Sequence, residues 1–283
     1  MLHPIAFKRM ILGWPQSQAD YPLVDATVKL AELLRLHLLA TFADDRSLMH
    51  VAGLPFVREL RPLGAGWHSF DVGQLAAELE RSSAIAHRLF DQVVRNCTVE
   101  ASFRVERGTA ADIVASLATA EDIVVVIEPS NPAERVTQQF TRLIEAAFRA
   151  AASVMIVPSR IARRSGPIVA VASAPEDPSI RAAAGFASMT REKLIVMGPS
   201  ERLGSSASFA AEIEAAGGRI EFVPTPTSAA QLAADLRRWD ERLLVMSRGL
   251  LDNPQVSILA SLRSVPVVVM EPAGPDRPAA ASP

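Results

Sequence analysis

Short, uninterrupted apolar runs alternate along this chain with longer stretches in which apolar residues recur every three to four positions. Runs of the first kind suit strands covered on both faces, and stretches of the second kind suit helices with one buried side. In the first half the pattern predicts strands at residues 9–12, 36–42, 102–106, 123–127 and 153–157, with helices at 23–34, 72–95, 110–120 and 136–151 between them. In the second half it predicts strands at 168–172, 194–197, 220–223, 243–246 and 267–270, and helices at 178–189, 208–216, 229–238 and 256–262. The helix over 72–95 is the clearest, with Leu75, Leu79, Ile85, Leu89 and Val93 near helical spacing and Asp71 placed to cap it. Gly217-Gly218 marks a helix stop. Strand alternating with helix predicts an α/β fold with parallel sheets.

The second half repeats the first. "AADIVASLATAEDIVVVIE" (110–128) and "AAQLAADLRRWDERLLVM" (229–246) are each helix, polar turn and buried strand. "AAFRAAASVMIVP" (146–158) and "ILASLRSVPVVVMEP" (258–272) close the two halves in the same way. Two matches in one order predict a duplicated domain. The expected organisation is a first domain over 1–159, a linker over 160–166, a shorter second domain over 167–272, and a disordered tail over 273–283. The arginines of the linker "RIARRSG" read as a solvated connection rather than a binding patch. Residues 43–70 interrupt the pattern. This long loop carries His50, Arg58, Arg61, Trp67 and His68, and it is either a lid or partner surface or a packing loop.

Composition narrows the function. The formal net charge is −2 and aromatic content is 5%, which argues against a nucleic-acid groove or a base-stacking platform. No segment is long and apolar enough for a membrane span or a signal-peptide core, so a cytoplasmic location is expected. A lone cysteine, Cys97, excludes an intrachain disulfide, and it reads as a small, half-buried residue near a helix end. His3, His37, His50, His68 and His87 form no metal-ligand pair. The Gly-x-Ser-x-Gly elbow, the dinucleotide fingerprint and the Walker sequence are all missing, so no enzyme is expected and no cofactor is required.

The strand and helix order, with the closing patterns "AAFRAAASVMIVP" and "LASLRSVPVVVMEP", resembles the universal stress protein family in a tandem, two-domain form. The resemblance implies two Rossmann-like domains, each a five-stranded parallel sheet with helices on both faces, and a fold that is usually dimeric and often binds ATP or AMP. ATP-binding members carry Gly-x-x-Gly, a spacer, and Gly-Ser or Gly-Thr after the fourth strand. Such glycines let backbone N–H groups approach phosphates at a helix N-terminus. Neither half keeps this signature. The first has Glu128-Pro129-Ser130-Asn131-Pro132-Ala133-Glu134 ahead of Phe140-Thr141, with Thr141 where the hydroxyl would sit and two carboxylates that oppose phosphate. The second has Ser247-Arg248-Gly249 on a shortened loop.

At the end of the first strand, where ATP-binding members tend to place an acid near adenine, the matching positions are Trp14 and Ala172. Trp14 either stacks on a ring or plugs the pocket. By the logic of open α/β sheets a ligand would bind beyond the strand ends where strand order reverses. The candidates are Gly13, Trp14, Ser130, Asn131 and Thr141 in the first half, and Ser173, Ser247, Arg248 and Gly249 in the second, where Arg248 makes the better anion site. The leading expectation is a stress-response protein acting through protein interactions. Its two domains would pack as a pseudo-dimer, and chains would pair again through the apolar edge at 265–270. A sensor of a nucleotide or another anion at these strand ends is the alternative, and an enzyme built on the 43–70 loop stands last.

Overall fold

The computed structural model describes residues 7–14, 21–46, 49, 54, 58–61, 66–69, 71–129, 131–150, 153–204, 207–215, 217–224, 226 and 228–271. The first half runs β1 (Arg9–Trp14), α1 (Tyr21–Leu33), β2 (His37–Asp44), β3 (Arg58–Arg61), β4 (Gly66–Ser69), α2 (Val72–Val94), β5 (Ala101–Arg107), α3 (Ala110–Leu117), β6 (Asp122–Ile127), α4 (Pro132–Arg135), α5 (Gln138–Arg149) and β7 (Ser153–Val157). The second runs β8 (Ile168–Val171), α6 (Pro178–Thr190), β9 (Leu194–Gly198), α7 (Ser200–Leu203), α8 (Ala207–Ala215), β10 (Arg219–Phe222), α9 (Ala229–Asp235) with a 3₁₀ turn at Leu236–Arg238, β11 (Leu243–Ser247), α10 (Asn253–Arg263) and β12 (Val267–Met270).

Each half contributes five parallel strands in the same spatial order: β5-β2-β1-β6-β7 and β10-β9-β8-β11-β12. The antiparallel hairpin β3–β4 is an insertion in the first half, within the stretch expected to be a loop. The sequence predicts two separate sheets with the edge at 265–270 left free. Instead β12 pairs with β7, antiparallel, with Val268 opposite Met155, and the two blocks become one ten-stranded sheet. Like order on both sides of an antiparallel seam relates the halves by a local twofold axis. The reason is visible in the strands. Both β7 and β12 are buried along their whole length. Left unpaired, either would present a row of unsatisfied N–H and C=O groups beside apolar side chains. Pairing of a second chain along that edge is therefore excluded.

Helices cover both faces. Met10, Leu12 and Trp14 of β1 belong to the core layer shared by α1, α2 and α6, whereas Val124 and Val126 of β6 belong to the layer shared by α3, α5, α9 and α10. Alternate residues of β7 and β12 divide in the same way: Met155 and Val268 lie on one face, Val154 and Val267 on the other. Each fully buried Val, Leu or Ile contributes roughly 1.5–3 kcal/mol, so these runs supply most of the drive to fold. Asp71 caps α2 as expected, accepting from the Gln74 N–H at 3.0 Å. Cys97 follows α2, half-buried, and burial raises its thiol pKa. No helix among the described residues is long and apolar enough to cross a membrane.

The linker is docked rather than simply solvated. Ala162 donates its N–H to the Ser264 carbonyl (2.8 Å), Arg163 donates to the Arg263 carbonyl (3.2 Å), and Gly166 donates to Glu192 (3.1 Å). Gly166 has φ +131°, and a Cβ there would lie 2.0 Å from the Asp240 carbonyl oxygen. Only glycine fits that approach. The tail 273–283, together with His3 and His50, lies outside the described residues.

Asp122 ties three elements together at the start of β6. Its two oxygens accept from Arg9 Nε (3.0 Å) and Nη2 (2.8 Å), and from the Thr119 N–H (2.9 Å) and hydroxyl (2.8 Å). Burial pushes this carboxyl up, but the hydrogen bonds from Arg9 and Thr119 outweigh burial and hold it below the ordinary value of 3.8. A carboxyl depressed in the folded state binds its proton more readily when unfolded. Its contribution is thus complete above the unfolded value and is lost as pH falls through the folded one. Asp122→Asn is expected to be less stable at neutral pH and to show a shallower loss below about pH 4 than the native chain, measured as urea midpoints across pH. Parallel curves would remove Asp122 from the acid response.

Candidate functional site

Ligands of open α/β sheets sit beyond the carboxyl ends of the strands where strand order reverses, here between β1 and β6 and between β8 and β11. In the first half, Gly13 and Trp14 end β1 and border a cavity of about 250 Å³ that also takes in Ile127, Pro129, Glu134, Thr137 and Phe140. Trp14 is buried and meets Phe103 edge-on at 5.9 Å, so it is a core residue that forms the cavity wall. A Cβ on Gly13 would meet open space. Asn131 caps α4, accepting from the Ala133 N–H at 3.0 Å. Thr141 does not join them: it lies one turn into α5, donates to the Thr137 carbonyl (3.1 Å) and faces a groove between α5 and α10. Ser130 lies outside the described residues.

Glu128, just past β6, was expected to repel phosphate from this place. Its role is different. The side chain is fully buried and turned across the seam, where it accepts from the hydroxyls of Ser257 and Ser261 on α10, the latter at 2.6 Å. Arg135 completes the network, donating to Ser261 (3.0 Å), Ser159 (2.9 Å) and the Pro129 carbonyl (2.9 Å), with its guanidinium 3.9 Å from Glu128. A buried carboxylate is tolerable only when satisfied in this way.

Arg248 is the counterpart of Glu128 across the local twofold. The Glu128 N–H donates to Val157 at the end of β7, and the Arg248 N–H donates to Met270 at the end of β12. Arg248, expected to offer an anion site, has partners within the molecule. The guanidinium pairs with Glu271, lies 5.8 Å from the centre of the Phe148 ring and points Nη2 at the Ala150 carbonyl, 3.5 Å away at the end of α5. A cation at a helix C-terminus is favourably placed. Each half thus sends its post-fourth-strand side chain to the last helix of the other half. Gly249 beside it has φ +88° and is exposed, a turn glycine.

Ser173 and Ser247 do come together, through a residue that sequence reasoning missed. Asp177 is buried at the start of α6. One of its oxygens accepts the Ser173 N–H (3.0 Å) and hydroxyl (3.2 Å). The other accepts the Ser179 N–H (3.0 Å) and hydroxyl (2.6 Å), and also the Ser247 hydroxyl. The carboxylate therefore occupies the β8–β11 crossover, where a phosphate would have to sit, and it holds the local donors. The signal for it was the pair Asp177-Pro178, a capping residue followed by proline in the first helical turn. The two strand ends differ in what they carry. One carries a buried tryptophan and a glutamate, and the other carries a satisfied aspartate with its arginine turned away. Among the described residues, no group of three or more His, Cys, Asp or Glu side chains is placed to hold a metal.

No protein-family model matches the sequence, and no curated protein matches it. Solved structures do match the fold. A universal stress protein from Archaeoglobus fulgidus DSM 4304 superposes with a TM-score of 0.64 at 13% identity, over 97% of this chain and 99% of that one. A putative universal stress protein from Pseudomonas aeruginosa UCBPP-PA14 gives 0.46 at 16% identity, over 94% of each chain.

Proposed function

We propose that this chain, which has the universal stress protein fold in tandem form, is a cytoplasmic stress-response protein that acts through protein contacts, without catalysing a reaction. One observation carries the reading: the polar groups at both strand-order crossovers are already engaged inside the molecule, by the Asp177 cluster and by the Glu128 and Arg248 contacts across the seam. A protein that keeps this fold while committing these polar groups to internal contacts retains its surfaces as the means of action.

The surface that fits best is the groove of about 520 Å³ between α5 and α10, which follows the seam between the halves. Val136 (83% exposed), Ile258 (46%) and Leu262 (56%) line it. Large apolar side chains left in water along a groove mark a contact surface. We assign its occupant as a second copy of this chain. The groove continues the existing interface between the halves, and its walls are the twofold-related helices, so the same patch on two chains is self-complementary.

The test pairs a nucleotide titration with sedimentation. ATP and AMP up to millimolar concentration are expected to leave the melting temperature unchanged, because only a ligand that binds the native state raises it. The native chain should sediment as a dimer and Ile258→Asp/Leu262→Asp as a monomer with an unaltered fold. Saturable stabilisation by either nucleotide, or a monomeric native chain, overturns the reading. The cavity beside Trp14 favours a second reading, a sensor of a small molecule, and saturable stabilisation in the same titration is the result that would select it.

A further inference from the structure

The linker and α1 enclose a pocket of about 260 Å³, which meets the Glu128 network only at Ser159. Pro22, Leu23, Ala26, Leu30, Ile161 and Pro266 give it an apolar floor. Around that floor stand five cationic side chains, Lys29, Arg160, Arg163, Arg164 and Arg242, against one carboxylate, Asp25. The chain as a whole has a formal net charge of −2, so this concentration of positive charge is local. Its elements come from three parts of the chain: α1 of the first half, the linker, and the residues that lead into β11 and β12 of the second.

The cations differ in how far they are already committed. Lys29 pairs with Asp25 one turn away, Arg163 is held by Asp240 (3.3 Å) and Glu241 (3.7 Å), and Arg242 approaches Glu192 at 3.7 Å. Arg160 and Arg164 are exposed and make no hydrogen bond or ion pair among the described residues. Burial lowers the pKa of Arg242, the sign of a charge short of compensation. Arg160 and Arg164 carry the positive charge that these pairs leave over, and an anion seated beside them on the apolar surface would offset it. The linker, fixed by the backbone N–H groups of Ala162 and Gly166 and by the Arg163 side chain, keeps Arg160 and Arg164 at the pocket.

We propose that this pocket binds a small amphipathic organic anion, its carboxylate or phosphate head held by Arg160 and Arg164 and its apolar body laid on Leu23, Leu30 and Ile161. The volume falls just under the range of drug-sized ligand sites, which suits a body the size of a medium acyl chain. Arginine is the side chain best matched to such heads, because its planar fork meets two oxygens at once. A ligand here would touch both halves and the linker together, so occupancy would brace the seam from outside. The site is independent of the strand-end groups, and its fate does not depend on the proposed mode of action.

Isothermal titration of the full chain with octanoate, octanol and inorganic phosphate tests it. Octanoate is expected to bind saturably with one site per chain, and octanol and phosphate each at least tenfold more weakly. Arg160→Glu/Arg164→Glu should weaken octanoate at least tenfold with the melting temperature of the free protein unchanged, since neither side chain has a partner to lose among the described residues. Equal octanoate affinity in the native chain and the double variant would overturn the assignment, as would no saturable octanoate binding. Phosphate binding as tightly as octanoate would also overturn it, by showing a plain anion site with no use for the apolar floor.

Discussion

Arg263→Ala is expected to lower stability by about 3–5 kcal/mol, the largest loss of any single side chain considered. Arg263 lies at the end of α10 and binds Glu241 through two parallel bonds, Nε to Oε1 at 2.7 Å and Nη2 to Oε2 at 2.8 Å. The same guanidinium donates to the carbonyls of Trp239 (2.9 Å) and Leu236 (3.1 Å), which end the α9 turn. Hydrogen bonding to Glu241 raises the arginine pKa against the opposing effect of burial. Glu241 is fully buried, and its other cationic neighbour, Arg163, stands at 3.7 Å. Truncating Arg263 therefore strands a carboxylate in the interior and takes a donor from two carbonyls, of which that of Leu236 keeps the Trp239 N–H.

The outcome is read as a lower urea midpoint with an unchanged slope. A double replacement, Arg263→Met with Glu241→Leu, should recover most of the loss, because removing both charges avoids the stranded one. A loss under about 1 kcal/mol in Arg263→Ala would mean the pair behaves as an exposed one.

Strands were legible wherever the chain is buried on both faces. β7 and β12 were bounded to the residue because their apolar runs end sharply, at Pro158 on one side and after Pro266 on the other. β1 extends two residues beyond its apolar run, since Gly13 and Trp14 continue in register with Thr41 and Phe42. The hairpin strands Arg58–Arg61 and Gly66–Ser69 carry neither an apolar run nor strict alternation, so nothing in their pattern set them apart from loop. The β7–β12 seam was hidden for a different reason. An apolar edge strand has the same sequence whether its partner belongs to another chain or to the other half.

The site was legible as a place more than as chemistry. Fold logic put Ser173 and Ser247 at one crossover, and they do meet there. What they meet, Asp177, had a visible helix-start signal, but its contact with Ser247 spans seventy positions and depends on the β8–β11 pairing. Arg248 was visible as a charge. Its direction was not, because that is set by the α5 terminus of the other half across a seam the sequence did not reveal. The linker arginines, read together as solvated, divide: Arg160 and Arg164 are exposed, whereas the Arg163 side chain is engaged by Asp240 and the Arg263 carbonyl, partners the sequence pattern does not reveal.

Asp177→Ala should cost about 3 kcal/mol or more, second only to Arg263→Ala. Hydrogen bonds to a charged group are each worth about 1.5–3 kcal/mol, and an N-cap about 1 kcal/mol. Alanine at this position leaves the N–H groups of Ser173 and Ser179 without their acceptor, the latter buried and the former half-buried. It also frees the Ser247 hydroxyl, which joins the end of β11 to the start of α6. Asp177→Asn should fall well short of that loss, since a carboxamide oxygen still accepts at the cap. Neither variant is expected to gain ATP binding, because Arg248 remains held at Glu271 and the α5 terminus and no glycine loop takes the vacated space. The serines supply the converse. Ser173→Ala/Ser179→Ala/Ser247→Ala removes three hydroxyl donors while keeping the carboxylate, and a partly satisfied buried charge is worse than none. The triple variant should therefore be at least as unstable as Asp177→Ala, and adding Asp177→Ala to it should cost nothing further and regain part of the loss. Independent losses that simply add would show that the four residues do not act as one cluster, and the closed crossover would then lose its physical basis.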